Sequence, residues 1–193
     1  LVGKMVQGFQ EILKQIDRRN INWYLNDDVS SANMVRCGDR IHWDISKHVN
    51  PDTEHKIKNW LNEQNYKVTV TRYGWHMDGV YNILKPGVIV ATEYLPELES
   101  MYKGWNICYP EAKVNADVIG HKWGGDYTET NYNVNLLSVD EDHCIIPTKH
   151  TALIRFLEDN KIHPIVCELR HKEFWDNGLH CMTQDLYREG NQE

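Results

Sequence analysis

Asn133-Val134-Asn135-Leu136-Leu137-Ser138-Val139, then Asp140-Glu141-Asp142, then Cys144-Ile145-Ile146, reads as two short strands joined by an acidic turn. Beyond it, Thr148 to Asp159 has apolar residues at helical spacing, and Ile162 to Glu168 reads as a strand. The same order stands upstream. Strand-like pieces around Asn33 to Arg36 and Arg40 to Ile45 flank a Gly38-Asp39 turn. Pro51-Asp52 opens a helix with Ile57, Trp60 and Leu61 on one face, and Lys67 to Arg72 alternates as a half-buried strand. Hairpin, helix and strand thus occur twice, from Asn33 through Val70 and from Asn133 through Cys167, which predicts repeated ββαβ modules of an α/β (α+β) fold rather than one open sheet.

The remaining segments fit around these units. Gly79 to Leu84, the turn Lys85-Pro86-Gly87 and Val88 to Ala91 predict a further hairpin, and another unit is expected to begin near Asn106-Ile107-Cys108-Tyr109. At the start, Met5, Phe9, Ile12, Leu13 and Ile16 predict an amphipathic helix, followed by a short strand from Ile21 to Tyr24 and a polar loop from Asn26 to Ser31. His121 to Tyr132, with its paired glycines, reads as a surface loop able to lie over a site.

Composition narrows the function. A chain of 193 residues with 41% hydrophobic content can bury a sizeable core as one domain or a large part of one. The charge of -7, from 28 acidic against 21 basic residues, comes without a basic run that could track phosphates, so nucleic acid is not an expected partner. No apolar stretch reaches the length of a membrane span. Five cysteines without CxxC spacing predict reduced thiols and a cytoplasmic setting rather than a disulfide framework or zinc ribbon.

Two short motifs could carry chemistry. His76-Met77-Asp78 puts an imidazole and a carboxylate two positions apart at the start of a predicted strand, where alternate side chains share a face. Near the other end, Gly178 stands just ahead of His180-Cys181, and a glycine there permits close backbone approach to a ligand. A cysteine becomes a useful nucleophile when a neighbouring histidine or positive environment lowers its pKa, so Cys181 needs a partner such as His76 brought in by the fold. His42, His48 and His55, or His171 with His180 and Cys181, form no closed ligand set of zinc type, so no metal is expected.

The run from His76 through Lys85-Pro86-Gly87 to Val90 resembles the HxD strand, PG turn and following strand of glycine amidinotransferases and their relatives in the pentein superfamily. Asn177 to Gly190 is similar to that family's segment ending in HCxTxD and a basic residue. Ser31 to Asp39 more loosely resembles its DAADxxRxG strand. The likeness spans roughly residues 28 to 190. It implies a pentein-type α/β propeller of ββαβ modules, of which residues 1–193 hold about the last three as the C-terminal part of a single catalytic domain.

The resemblance also implies a chemistry. Cys181 matches the nucleophile that attacks the guanidinium carbon of arginine, His76 the acid/base, and Asp78 the carboxylate that binds the guanidinium. The implied partners are a small guanidino donor and an amine acceptor, without a cofactor and with room for a homo-oligomer. Three positions depart from the family pattern. Ser30 stands where an aspartate orients the histidine, with Asp28 two residues earlier. Only Gly178 remains of a glycine-rich run, and Leu95 stands about where a carboxylate-binding arginine is found. An arginine deiminase-type hydrolase and a non-catalytic pentein-shell binding protein therefore stay open beside the transferase.

Overall fold

A computed structural model describes residues 31–45, 49–72, 76–92, 95–110, 133–169 and 178–183. The readings at residues 4–18, 21–24 and 121–132, and at Asp28, Ser30, His48 and His171, lie outside them.

The described chain builds three modules, each a three-stranded sheet with one helix between its second and third strands. The first holds β1 (Met34–Cys37), β2 (Arg40–Asp44), α1 (Pro51–Glu63) and β3 (Lys67–Thr71). The second holds β4 (Tyr81–Lys85), β5 (Val88–Ala91), α2 (Pro96–Met101) and β6 (Asn106–Cys108). The third holds β7 (Leu137–Ser138), β8 (His143–Ile146), α3 (Thr151–Asp159) and β9 (His163–Val166). In every module the first two strands pair antiparallel, and the third returns parallel to the second. The expected module therefore occurs three times. Asn106 to Cys108 closes the middle one instead of opening another unit, and α2, with only six residues, is too short to show a 3.6-residue period.

The helices begin and end for local reasons. Asn50 caps α1 by accepting from Asp52 N–H at 2.9 Å, Pro51 occupies the first turn, and Asp52 and Glu54 favour its positive end. His150 Nδ1 accepts from Leu153 N–H at 3.3 Å at the start of α3. After each helix, one residue with positive φ turns the chain toward the returning strand: Asn65 (φ 66°), Gly104 (φ 84°) and Lys161 (φ 58°). Each stands two residues ahead of that strand, so a single backbone device sets the strand's start in all three modules.

Packing ties the modules together. Ile41, Trp43, Ile45, Ile57 and Leu61 bury the first helix on its sheet. On β5, Ile89 and Ala91 face Leu98 and Tyr102 of their own module, whereas Val88 and Val90 join Leu136, Cys144, Ile146, Leu153 and Leu157 of the third. The strand is buried on both faces because a neighbouring module covers its second side. Asn82 Nδ2 donates to the Leu136 carbonyl at 2.9 Å, and Ser138 Oγ to the Leu84 carbonyl at 2.7 Å, so the polar groups inside this seam are satisfied.

Between the first and second modules, buried His42 bridges β3 and β4. Its Nδ1 lies 3.1 Å from Tyr81 Oη and its Nε2 3.0 Å from Thr71 Oγ1. Thr71 donates its only hydroxyl proton to Asp44 at 2.8 Å, so His42 Nε2 must be the donor to Thr71 and Nδ1 the acceptor from Tyr81. Burial lowers the pKa of this histidine and so favours the neutral ring that this pattern requires. His55, on an exposed face of α1, pairs with Asn59 at 3.0 Å.

Candidate active site

Just ahead of β4, Met77–Gly79 forms a 3₁₀ turn, with His76 as the residue preceding it. The HxD pair therefore lies on a tight turn, and strand alternation does not explain its placement. The turn buries Asp78, whose side chain is 7% exposed, and brings it to residues about a hundred positions later. Asp78 Oδ2 receives the Cys181 thiol at 3.2 Å and His180 Nδ1 at 3.3 Å. Asp78 Oδ1 is buried without a hydrogen-bond partner among the described residues.

Charge and burial compete at this pair. Burial raises the Asp78 pKa, but hydrogen bonds from His180 and Cys181, with the nearby charges of His180 and His76, outweigh it and hold the carboxyl below its ordinary value. The Cys181 thiol is pushed up, first by burial and then by the Asp78 charge, against opposing N–H contacts from Gly178 and Asn135. At rest the sulfur is a thiol donating to a carboxylate.

Sequence reading missed Asn135, which lies fully buried just ahead of β7. Its Nδ2 is 3.0 Å from Cys181 Sγ and 3.2 Å from the Asp78 carbonyl, and its Oδ1 accepts from Cys181 N–H at 3.0 Å. Its backbone carbonyl accepts from Leu179 N–H at 2.9 Å and His180 N–H at 3.3 Å. A signal was present in the sequence: Asn133, Asn135 and Ser138 interrupt an apolar run, and buried polar side chains need partners.

Gly178 is explained by the same residue. A Cβ placed there would stand 2.3 Å from Asn135 Oδ1 and 2.4 Å from Asn135 Cβ, so the glycine admits Asn135 rather than a ligand. Leu95, at the position compared with an arginine, is 4% exposed and packs with Leu98 and Tyr102 in the core.

No family model matches the chain. Among curated proteins it is 24% identical over 175 residues to the L-arginine:L-lysine amidinotransferase of Pseudomonas savastanoi pv. phaseolicola, covering 84% of this chain and 45% of that protein. It is 30% identical over 117 residues to inosamine-phosphate amidinotransferase 1 of Streptomyces griseus, covering 58% of this chain and 33% of that one. Among solved structures it matches SxtG, an amidinotransferase of the saxitoxin biosynthetic pathway from Microseira wollei, with TM-score 0.62 and 26% identity over 83% of this chain and 46% of that one. It also matches the inosamine-phosphate amidinotransferase StrB1 of Streptomyces griseus, with TM-score 0.67 and 24% identity over 84% and 47%. The chain therefore has a pentein-type fold and spans less than half the length of these relatives.

Proposed function

From this kinship with amidinotransferases, we propose that the chain is the C-terminal part of a single catalytic domain that moves an amidino group from arginine, or a similar guanidino donor, to an amine acceptor through Cys181. The observation that carries the reading is the Asp78 carboxylate: Oδ2 lies 3.2 Å from the Cys181 sulfur, while Oδ1 is buried with no partner among the described residues. A guanidinium is a planar cation with N–H donors in a fork, and it matches a carboxylate that still has acceptor capacity beside a sulfur.

The steps follow from proton and charge balance. The guanidinium binds Asp78, displaces the thiol from it and cancels the charge that holds the thiol protonated. The Cys181 sulfur attacks the guanidinium carbon, its proton passes through His76 to the departing amine, and the C–N bond breaks. The intermediate is a cationic amidino thioether on Cys181. An acceptor amine then attacks that carbon, His76 takes its proton and returns it to the sulfur, and the C–S bond breaks. In this reading His76 is acid and base, Cys181 nucleophile and Asp78 binding carboxylate, with no cofactor.

Intact-mass measurement tests it directly. The full-length natural protein incubated with arginine and quenched in acid is expected to gain one amidino group, and Cys181→Ala to gain none. Acceptor-dependent formation of a new guanidine indicates transfer, and citrulline formed without an acceptor indicates hydrolysis. A Cys181 that forms no adduct with any guanidino donor would overturn the catalytic reading.

A further inference from the structure

We propose that Asn135 is the positioning residue of Cys181, gripping its sulfur and its backbone N–H at once and docking both onto Asp78. The inference rests on the reading of Cys181 as nucleophile, and it goes beyond it by assigning what holds that nucleophile in place.

The carboxamide is used completely. Oδ1 accepts from Cys181 N–H at 3.0 Å; the two Nδ2 protons go to Cys181 Sγ at 3.0 Å and to the Asp78 carbonyl at 3.2 Å. A flipped amide would set Oδ1 against the Asp78 carbonyl and the amino group against the Cys181 N–H, two like-with-like clashes, so the network favours one orientation. The Asn135 carbonyl adds contacts to Leu179 N–H and His180 N–H. One residue of the third module therefore ties the nucleophile's segment to the turn that carries the carboxylate.

Two features separate this from ordinary core packing. Asn135 is fully buried between Val134 and Leu136, where an apolar side chain would cost less to bury. The backbone opposite is a glycine whose missing Cβ leaves the space that Asn135 fills, so both sides of the contact are shaped for it. The chemical consequence concerns the sulfur. An N–H donor favours the thiolate over the thiol, and Asn135 Nδ2 lies on the sulfur opposite in effect to the Asp78 charge that disfavours it. A carboxyl group at position 135 would keep the shape and the acceptor for Cys181 N–H while carrying at most one proton, which the Asp78 carbonyl takes, so the sulfur loses its donor.

Iodoacetamide alkylation of Cys181, followed by peptide mass spectrometry across pH on the full chain, reads this without any guanidino substrate. Asn135→Asp is expected to move the alkylation midpoint up by about one unit, making the reaction about tenfold slower below it. Asn135→Ala is expected to shift it upward by less. A folded Asn135→Asp protein with an unchanged midpoint would overturn the assignment. Should that variant fail to fold, the Asn135 side-chain amide resonance carries the test: it is expected to shift between the unsubstituted protein and Cys181→Ala, and an unmoved resonance overturns the contact. Failure of arginine to form an adduct, with the midpoint still shifting, would sink the proposed reaction and leave Asn135 as the keeper of the thiol.

Discussion

Cys181 donates its thiol proton to Asp78 Oδ2 across 3.2 Å, so in the proposed reaction the sulfur and the carboxylate hold each other in check until a cation separates them. Asp78→Asn should therefore move two activities in opposite directions. With the carboxylate charge gone, the thiol titrates lower, and alkylation of Cys181 near neutral pH is expected to rise about threefold to tenfold. Adduct formation with arginine is expected to fall below detection. Equal losses of both would show that Asp78 only supports the local fold.

Gly178→Ala forces a Cβ to 2.3 Å from Asn135 Oδ1 and 2.4 Å from its Cβ, and Asn135 is held on several sides and buried. Overpacking of this kind costs about 1–3 kcal/mol. Urea unfolding should find that loss, and alkylation of Cys181 should change with it, because the displaced side chain is the one that touches the sulfur.

His42 makes stability depend on pH on the acid side. Burial, opposed by the charges of Asp44 and Glu97, lowers its pKa from the ordinary 6.5, so the folded state binds fewer protons there than the unfolded one. A depressed histidine contributes its stability in full above the unfolded pKa and loses it as pH falls through that value toward the folded one. Unfolding free energy should decline below pH about 6.5, by at most about 1.4 kcal/mol per pH unit from this group. His42→Gln is expected to be less stable at pH 7.5 and to show a shallower decline between about pH 6.5 and 5. An unchanged slope would place the acid sensitivity elsewhere.

Gly104 and Lys161 hold equivalent corners with positive φ, and an added Cβ at Gly104 meets nothing within 4 Å, so only backbone conformation is at stake. Gly104→Ala is expected to cost about 1 kcal/mol, and Lys161→Gly, at an exposed position, to gain a few tenths up to about 1 kcal/mol. Thermal unfolding of the two variants checks both signs. A stabilising Gly104→Ala would show that the corner is not strained for a side chain.

Much of the architecture was legible in the sequence because the first and third modules carry strong local signals. Pro51 and Asp52 mark a helix start, Ile57 and Leu61 mark its buried face, and Val68 and Val70 alternate. The middle module was only half visible, since α2 buries the single residue Leu98 between its ends and offers no period to count. The stretch from Asn133 was read as strand throughout, yet residues 133–134 are helical and β7 begins at Leu137; Val134, Asn135 and Leu136 are all fully buried, a pattern set by neighbouring segments rather than by alternation. At the candidate site, His76, Asp78 and Cys181 stand out by residue chemistry and by resemblance, and the structure brings Asp78 and Cys181 into contact. Asn135 stood out only as a polar residue in an apolar run, because its contacts exist only where three segments far apart in the chain meet.

The three corners at Asn65, Gly104 and Lys161 share a backbone angle and no side-chain chemistry. A joint defined by torsion alone accepts an amide, a bare glycine or an ammonium side chain at the same bend. Each ββαβ unit starts its returning strand from the same bend, while Asp78 and Asn135 stand just ahead of the first strands of two different units, so the spacing between them is set by how those units pack and not by either unit alone.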